Sequence, residues 1–442
     1  MRDLLLALIV FGSVPFSFVR PYIGILVWTW LSLMNPHRLT WGFAYHLRVA
    51  MIVGAVTLFA WLFSREPKRP PFTAITVLLA LFTIWISLAT VFAVKPDEAM
   101  VKYSQVIKIL LMTFVAMCLL QERLRIQAMV WVIAMSIGFY GVRGGVFTAI
   151  TAGNYRVFGP PDSFITDNNQ LALAIVMVLP LIWYLYTTTA HRYLRLGLIA
   201  AGGLSMIAVL GTHSRGGFLA LCVMLSFLWL KSRHKVVTLV GALAVLSVSF
   251  AFLPSKWFER METIQTYDQD ESVQGRFDAW TFAYRVAKER PLVGGGPSVF
   301  YDQNYFLRLV PDAPRARNAH SIYFEVLGES GFVGLALFLM LGLSCLLTAS
   351  SIIRRTRGHP DLDWASNLAK MIQVSLIGYA TAGAFLNLGF FDLYYAIISV
   401  LVATKVVVGR EIARIESTAS QRDKMPARTG PAPAIAAGLR GA

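Results

Sequence analysis

Long apolar segments recur along almost the whole chain, and they constrain its fold more than any other feature. Each is about as long as a helix needs to cross the hydrocarbon core of a membrane. The chain is 56% hydrophobic and only 14% charged, so a soluble domain could not bury this much apolar surface. Backbone polar groups in hydrocarbon must be satisfied within the segment, which requires helices. The sequence therefore predicts an all-α polytopic membrane protein.

The apolar pattern predicts about 12 or 13 transmembrane helices. Residues 1–34 form either two short helices or one broken helix, because Arg20-Pro21 interrupts them. The remaining spans are predicted near residues 49–63, 72–94, 103–120, 127–146, 171–186, 194–210, 217–230, 236–253, 322–350, 369–388 and 394–408. We divide the chain into amino-terminal helices (1–147), a core (148–408) and a disordered cytoplasmic tail (409–442). We expect the start of the chain to be a retained span and not a cleaved signal peptide.

Short connectors rich in lysine and arginine alternate with connectors poorer in them. Cytoplasmic connectors carry the excess of positive charge, so the alternation predicts which face each one occupies. The segments predicted outside are 35–48, 95–102, 151–170, 213–216 and a long polar loop, 254–320. Within that loop, residues 276–290 mix aromatic and charged side chains, as an amphipathic helix does, and Pro291 ends it.

The net charge of +16 does not indicate a nucleic-acid partner, because the charge lies in short connectors and in the tail. Membrane lipids are the expected surroundings. All three cysteines lie in apolar runs, with neither disulfide nor metal spacing. We predict no cofactor and no metal site. The glycines at 294–296 are not followed by Gly-Lys-Ser/Thr, so they are not an ATP-binding loop.

Arg215 is the first candidate for chemistry. It is the last polar residue of the motif Gly-Thr-His-Ser-Arg-Gly-Gly (residues 211–217), which lies at the boundary of a span. It is either an interfacial arginine or a ligand for a phosphate group. The two glycines favour the phosphate, because they leave backbone N–H groups accessible. His213 is a second-rank candidate, and Arg143, in Val-Arg-Gly-Gly, is a weaker repeat of the pattern.

The long loop supplies further cations. Arg276 follows Gly275, and it is either a solvated loop charge or an anion ligand. Arg315 and Arg317 either steer an anionic substrate or lie in the lipid head-group zone. His320 lies where the loop meets the next span, directly after Asn318 and Ala319. An imidazole there can take a proton from a hydroxyl near neutral pH.

Polar residues at two helix ends complete the candidate site. Glu325 and Glu329 lie inside a span, where they either orient the histidine, hold a neighbouring arginine or form a structural ion pair. Asn168 and Asn169 begin another span, and Asp167 before them suits an N-cap. The alternative for these amides, and for Asn318, is a polar contact with a sugar or a pyrophosphate.

At these residues the sequence resembles the O-antigen ligase and polymerase superfamily of bacterial envelopes, which includes WaaL-type ligases and Wzy-type polymerases. The matching motifs are Thr-His-Ser-Arg-Gly-Gly (212–217), Gly-Arg-Phe-Asp-Ala-Trp (275–280), Arg-Pro-Leu-Val-Gly-Gly-Gly (290–296) and Asn-Ala-His-Ser-Ile-Tyr-Phe-Glu-Val-Leu-Gly-Glu-Ser-Gly (318–331). Leu-Met-Asn-Pro-His-Arg (33–38) resembles O-glycosylation ligases of exosortase-associated systems. One departure is Ser321, because many members have asparagine after the histidine.

The resemblance implies a glycosyltransferase that moves a glycan en bloc from undecaprenyl pyrophosphate to an acceptor hydroxyl. Arg215 and Arg276 match the arginines that bind the pyrophosphate, and His320 matches the histidine that activates the acceptor. The implied location is the bacterial inner membrane, with the active site facing the periplasm. The expected reaction needs neither metal nor ATP and inverts the anomeric carbon.

Several alternatives stay open at this point. The acceptor is a lipid A-core, another lipid, a polysaccharide or a protein. A polymerase that joins lipid-linked repeats shares the motifs, and so does a protein O-oligosaccharyltransferase. The non-enzyme alternative is a polysaccharide-lipid transporter, which should carry repeated halves or charges in the middle of the membrane. The candidate residues instead gather at one face, which favours an enzyme.

Overall fold

The computed structural model describes residues 1–232, 235–251 and 271–424 of the chain. This part is helical and contains no β-strand. Its α-helices are α1 (Arg2–Val19), α2 (Pro21–Met34), α3 (Val49–Phe63), α4 (Ala74–Val91), α5 (Pro96–Leu119), α6 (Arg123–Ile150), α7 (Asn168–Thr188), α8 (Arg192–Gly211), α9 (Arg215–Lys231), α10 (Lys235–Ala251), α11 (Glu271–Glu289), α12 (Gln303–Leu309), α13 (Ile322–Arg355), α14 (Asp363–Gly383) and α15 (Asp392–Lys424).

The prediction of an all-α polytopic membrane protein is confirmed. Seven of the described helices are long and apolar enough to cross a membrane, and α2 and α3 are shorter apolar helices. The seven are α1, α4, α5, α6, α7, α8 and α13. Each predicted span coincides with a helix, although residues 252–253 of one span lie outside the described residues. The total of 12 or 13 spans stays a prediction.

The first 34 residues form two helices and not one. Arg20 adopts an extended conformation that ends α1, and Pro21 begins α2. Proline suits the first position of a helix, because its missing N–H would have no partner there and its φ is already helical. Pro15 is accommodated inside α1.

Helix α7 forms the centre of the bundle. Every residue from Leu171 to Ile182 is buried, so the helix is apolar on all sides. It packs against α6, α8, α9 and α14. The outer helix α1, in contrast, buries only Leu6, Val10 and Ser17.

Segments predicted to share one face contact one another. Arg38 pairs with Asp162 at 3.3 Å, and Lys95 pairs with Asp302 of the long loop at 3.8 Å. The first contact joins the segment 35–48 to the segment 151–170, and the second joins the segment 95–102 to the long loop. We call this end of the molecule the loop end.

The long loop carries the predicted amphipathic helix, here α11, which begins five residues earlier than the pattern indicates and ends before Pro291. Its buried face packs on α13 and on the short helix α12. That face consists of Ala279, Phe282, Ala283, Val286 and Ala287. Phe282 stacks on Phe306 with ring centres 4.4 Å apart. Residues 254–270 of the predicted loop lie outside the described residues.

The tail differs from the prediction. Helix α15 continues to Lys424, whereas the sequence suggests disorder from residue 409. Charges spaced along this segment support the helix, since Arg414 pairs with Glu411 one turn earlier at 3.1 Å. Residues 425–442 lie outside the described residues.

Candidate active site

A polar cavity of about 710 Å³ opens at the loop end. Helices α5, α7, α11 and α13 contribute to its walls, together with the residues before α13 and the connection between α14 and α15. Seven sequence-predicted candidates line it together, which are Asn169, Arg276, Arg317, Asn318, His320, Glu325 and Glu329. Five other candidates do not line it, which are Arg143, Asn168, His213, Arg215 and Arg315.

Gly275 brings two arginines into this cavity. A Cβ atom at Gly275 would lie 2.5 Å from both Cδ and Nη1 of Arg317, so any other residue there would displace that side chain from its observed position. Arg276 is the next residue, and it lines the same cavity. The Gly-Arg pair therefore allows one guanidinium to cross the start of α11 while the neighbouring arginine also faces the cavity.

Trp280 holds the backbone next to His320. Its indole N–H donates to the Ala319 carbonyl at 2.8 Å, and its ring stacks on Phe324 at 4.9 Å. His320 itself has a φ of 44°, in the left-handed region that few residues other than glycine adopt. Such strain persists only where surrounding contacts fix it, and it is frequent at functional sites. The tryptophan contacts supply this support.

The cavity keeps the His320 imidazole neutral. His320 is exposed to the space of the cavity, but desolvation by the surrounding walls still lowers its pKa below the ordinary value. The nearby Arg276 lowers this pKa further, and Arg317 acts in the same direction. Asp167 opposes the shift but does not reverse it. A neutral imidazole has a free lone pair, so at neutral pH His320 can accept a proton from a hydroxyl.

The two carboxylates in α13 pair with a lysine. The Lys102 ammonium donates to Glu325 at 2.7 Å and to Glu329 at 2.7 and 2.9 Å. Of the three predicted roles, the ion pair is therefore the one observed, and its cation comes from α5. Glu329 also accepts from the Ser298 N–H at 3.0 Å, and Glu325 accepts from the Gly389 N–H at 2.9 Å. The cluster joins four segments, α5, α13 and the segments that carry Ser298 and Gly389, and it forms part of the cavity wall.

The first turn of α7 has a structural role and one cavity contact. Asp167 and Gln170 form a capping box, as the N-cap interpretation predicts. Asn168 is buried and donates to the Thr212 carbonyl at 2.7 Å, so it joins α7 to the turn before α9. Asn169 lines the cavity and donates to Asp167 at 2.8 Å.

Arg215 begins α9 behind the cavity wall. Ser214 caps this helix by accepting from the Gly217 N–H at 3.0 Å. A Cβ atom at Gly216 would lie 3.4 Å from Phe385, and Phe385 lines the cavity. Arg215 is half-buried and adjoins the wall without lining it.

The remaining weak candidates lie elsewhere. His213 is buried with a φ of 54°, and its Nε2 bonds the Gly153 carbonyl at 2.8 Å, which joins two connectors. Arg143 is an exposed residue of α6, and Arg315 is exposed in the loop. These three positions therefore do not contribute to the walls of the cavity.

The glycine-rich motif at 294–296 is a structural turn. The Gly295 and Gly296 N–H groups donate to the carbonyls of Gly328 and Glu329 in α13. A Cβ atom at Gly294 would lie 2.6 Å from the Gly331 nitrogen. Gly331 has a φ of 68° and kinks α13 at this contact. The motif fixes the start of α13, which carries the two cavity carboxylates.

Sequence reasoning missed several residues that line or support the cavity. Lys102, Gln105, Ser298 and Asn387 line it, and Trp280 supports it. The sequence could have identified Lys102 as a candidate, because it is a charged residue within an apolar helix, as Glu325 is. The others became apparent only from contacts between segments far apart in the chain.

No group of three or more His, Cys, Asp or Glu side chains in the described ranges is arranged to hold a metal ion. The absence of metal from the reaction stays a prediction. The fold and the cavity together define a polytopic membrane protein with a cavity at one end of its helix bundle that contains two arginines and a histidine.

Comparison with known families adds two matches. Residues 199–339 match the family described as O-Antigen ligase, and residues 1–190 match a family of unknown function, DUF5935. No curated protein matches the chain. The match over residues 199–339 supports the O-antigen ligase and polymerase superfamily, whose members are glycosyltransferase- or ligase-type enzymes. The chain's nearer resemblance to exosortase-associated ligases stays a prediction.

Proposed function

We propose that this protein transfers a glycan en bloc from undecaprenyl pyrophosphate to an acceptor hydroxyl. One observation carries the proposal: Arg276, Arg317 and the neutral His320 line one cavity. The two fixed cations suit an anionic leaving group, and the imidazole suits a hydroxyl nucleophile. The match of residues 199–339 to the O-antigen ligase family supports the same reaction class.

The reaction is a single displacement. The acceptor oxygen attacks the anomeric carbon of the glycan while its proton passes to His320. The bond between that carbon and the pyrophosphate oxygen breaks, and the electron pair leaves with undecaprenyl pyrophosphate. Guanidinium groups bind phosphate oxygens bidentately, so Arg276 and Arg317 stabilise the charge that develops there. Attack opposite the leaving group inverts the anomeric carbon.

Arg215 acts on the same leaving group from behind the Phe385 wall. It lies at the amino end of α9, where the helix dipole also favours negative charge. The cavity faces the periplasm of the inner membrane, since the segments on which it lies alternate along the chain with the short connectors rich in lysine and arginine.

The test is transfer by the purified full-length protein in detergent. It receives an undecaprenyl-pyrophosphate glycan, a chelator and no ATP, with a lipid A-core, a neutral glycolipid, a polysaccharide or a serine-containing peptide as acceptor. A glycosylated acceptor supports the proposal and identifies the acceptor class. Elongated lipid-linked chains would instead indicate a polymerase.

A transporter predicts a different outcome. In sealed vesicles, movement of the lipid-linked glycan between leaflets without transfer to any acceptor would contradict the enzyme proposal. Inclusion of the same acceptors on both sides of the vesicle separates the two results.

A further inference from the structure

A second cavity, of about 1050 Å³, lies beside the first, and most of its lining residues belong to the region matched by the family of unknown function. It lies between α2, α3 and α5, and most of its walls are apolar. Apolar side chains that line it include Trp28, Leu31, Met51, Leu58, Ile109 and Met112. Gln105, Phe164, Gln170, Asn387 and Leu388 line both cavities, so the two spaces share a wall at the loop end.

Basic side chains cluster in this second cavity. Lys108 lies on α5, six residues after Lys102 and so about 9 Å further along the helix axis. Its side chain is exposed in the cavity, and it forms no ion pair or hydrogen bond with the described residues. Arg48, just before α3, is exposed and likewise has no such partner among them. A cation inside an apolar helix is expensive unless an anion or water meets it.

The cavity offers little negative charge of its own. Asp162 is the one carboxylate among its described lining residues, and Arg38 pairs with it at 3.3 Å. Lys108 and Arg48 therefore face an apolar space without a protein counter-ion among the described residues. The combination is complementary to an amphiphile with an anionic head and hydrocarbon chains.

We propose that this cavity binds a phosphate-bearing lipid, with its phosphate between Arg48 and Lys108 and its chains between α2 and α3. The phosphate binds separately from the donor pyrophosphate, which has its own cations in the first cavity. Since the two cavities share a wall, the lipid headgroup lies next to His320's cavity. Its role as the acceptor rests on the proposed function, whereas the binding site itself does not.

The binding test uses native mass spectrometry of the full-length protein in detergent. The probe is dioleoyl phosphatidic acid, and the uncharged lipid of matched chains is dioleoylglycerol. We expect one saturable phosphatidic acid, with affinity falling about fivefold for each cation removed in Lys108→Gln and Arg48→Gln. Arg156→Gln is the matched control, because Arg156 is an exposed cation of the neighbouring segment that lines neither cavity.

Three results would overturn the proposal. The first is equal binding of dioleoylglycerol and phosphatidic acid to the wild type. The second is unchanged phosphatidic acid binding in the Lys108→Gln, Arg48→Gln double variant. The third is displacement of the lipid by an equal concentration of inorganic phosphate, since the apolar walls would then add nothing to recognition.

Two more variants distinguish this site from the donor site and locate the hydrocarbon chains of the bound lipid. Arg276→Ala should leave phosphatidic acid binding unchanged, and loss of binding there would mean that the lipid occupies the first cavity. Ala55→Phe fills the apolar part of the second cavity and should weaken binding, whereas unchanged binding would place the chains elsewhere. Because the readout is binding, these results stand whether or not glycan transfer is detected.

Discussion

At the residue scale, the chemistry depends on the charge state of His320. Desolvation by the cavity walls and two arginines lower the pKa of this imidazole, and Asp167 opposes them only in part, so it stays neutral where an ordinary histidine begins to titrate. The same arginines suit the leaving group. One set of charges therefore serves both substrates, because it favours a neutral base and stabilises a departing anion.

This arrangement predicts the pH dependence of transfer. The neutral imidazole is the active form, so activity is present above the pKa of His320 and is lost as pH falls through it. The acid limb of kcat/KM in the wild type should therefore lie below about 6.5, the ordinary histidine value. In Arg276→Gln the pKa of His320 rises, because a neighbouring positive charge is gone, and the limb should move to higher pH.

Rates measured from pH 4.5 to 8 in both proteins would test this prediction. A limb at the same pH in wild type and Arg276→Gln would show that the arginine does not act on the titrating group. Arg308→Gln is the control, because Arg308 is an exposed loop arginine paired with Glu289 outside the cavity.

The Lys102 cluster makes a prediction about stability. Glu325 and Glu329 are buried, and Lys102 is the cation that both of them contact. Lys102→Met leaves two buried carboxylates without it, which should lower the free energy of unfolding by about 3–5 kcal/mol. The triple variant that adds Glu325→Gln and Glu329→Gln should regain most of this loss.

Thermal unfolding in detergent measures both proteins under the same conditions. If the single variant has the same melting temperature as the wild type, the ion pairs do not hold the four segments together. If the triple variant is no more stable than the single one, buried charge is not the cause of the loss.

At the element scale, a glycine turn fixes the start of α13. Gly294 and Gly331 both have positive φ and approach each other closely, and neighbouring N–H groups bond to α13 carbonyls. Trp85 donates from α4 to the Leu292 and Ser330 carbonyls at the same junction. The loop is therefore packed onto the bundle, and the site residues on both sides of the junction keep a fixed spacing.

Two glycines with positive φ test this packing. Gly294→Ala adds strain at a φ of 65° and also a clash with the Gly331 backbone. Gly358→Ala adds only strain, because a Cβ atom there meets nothing within 4 Å at a φ of 83°. We expect a loss of about 1 kcal/mol for Gly358→Ala and a clearly larger loss for Gly294→Ala. Equal melting temperatures for the two variants would contradict tight packing at the junction.

At the scale of the whole molecule, the sequence predicts the helices well and the contacts between them poorly. Apolar length and charge alternation are local signals, so they predict the spans and the amphipathic helix α11. The break at Arg20-Pro21 and the continuation of α15 to Lys424 depend on finer local balances. The break into two helices was one of two alternatives that the sequence left open, whereas the sequence did not predict a helix beyond residue 409.

The site was predictable where a motif carried unusual residues within a few positions. Arg276, Arg317 and His320 are such residues, and the structure brings them to one cavity. Lys102 pairs with residues more than 200 positions away, and no local pattern identifies such a partner. The second cavity forms from helices whose apolar faces look alike in sequence, so it became visible only in the folded chain.

The central claim is that the cavity of Arg276, Arg317 and His320 carries out glycan transfer. The most direct measurement is the single-turnover rate of transfer from the lipid-pyrophosphate donor, for wild type, Arg276→Ala, His320→Ala and the control Arg308→Gln. We predict a loss of about 10²–10⁴-fold for His320→Ala and about 10²–10³-fold for Arg276→Ala, with the control at the wild-type rate. Rates near wild type in either cavity variant, with the protein folded, would contradict the claim.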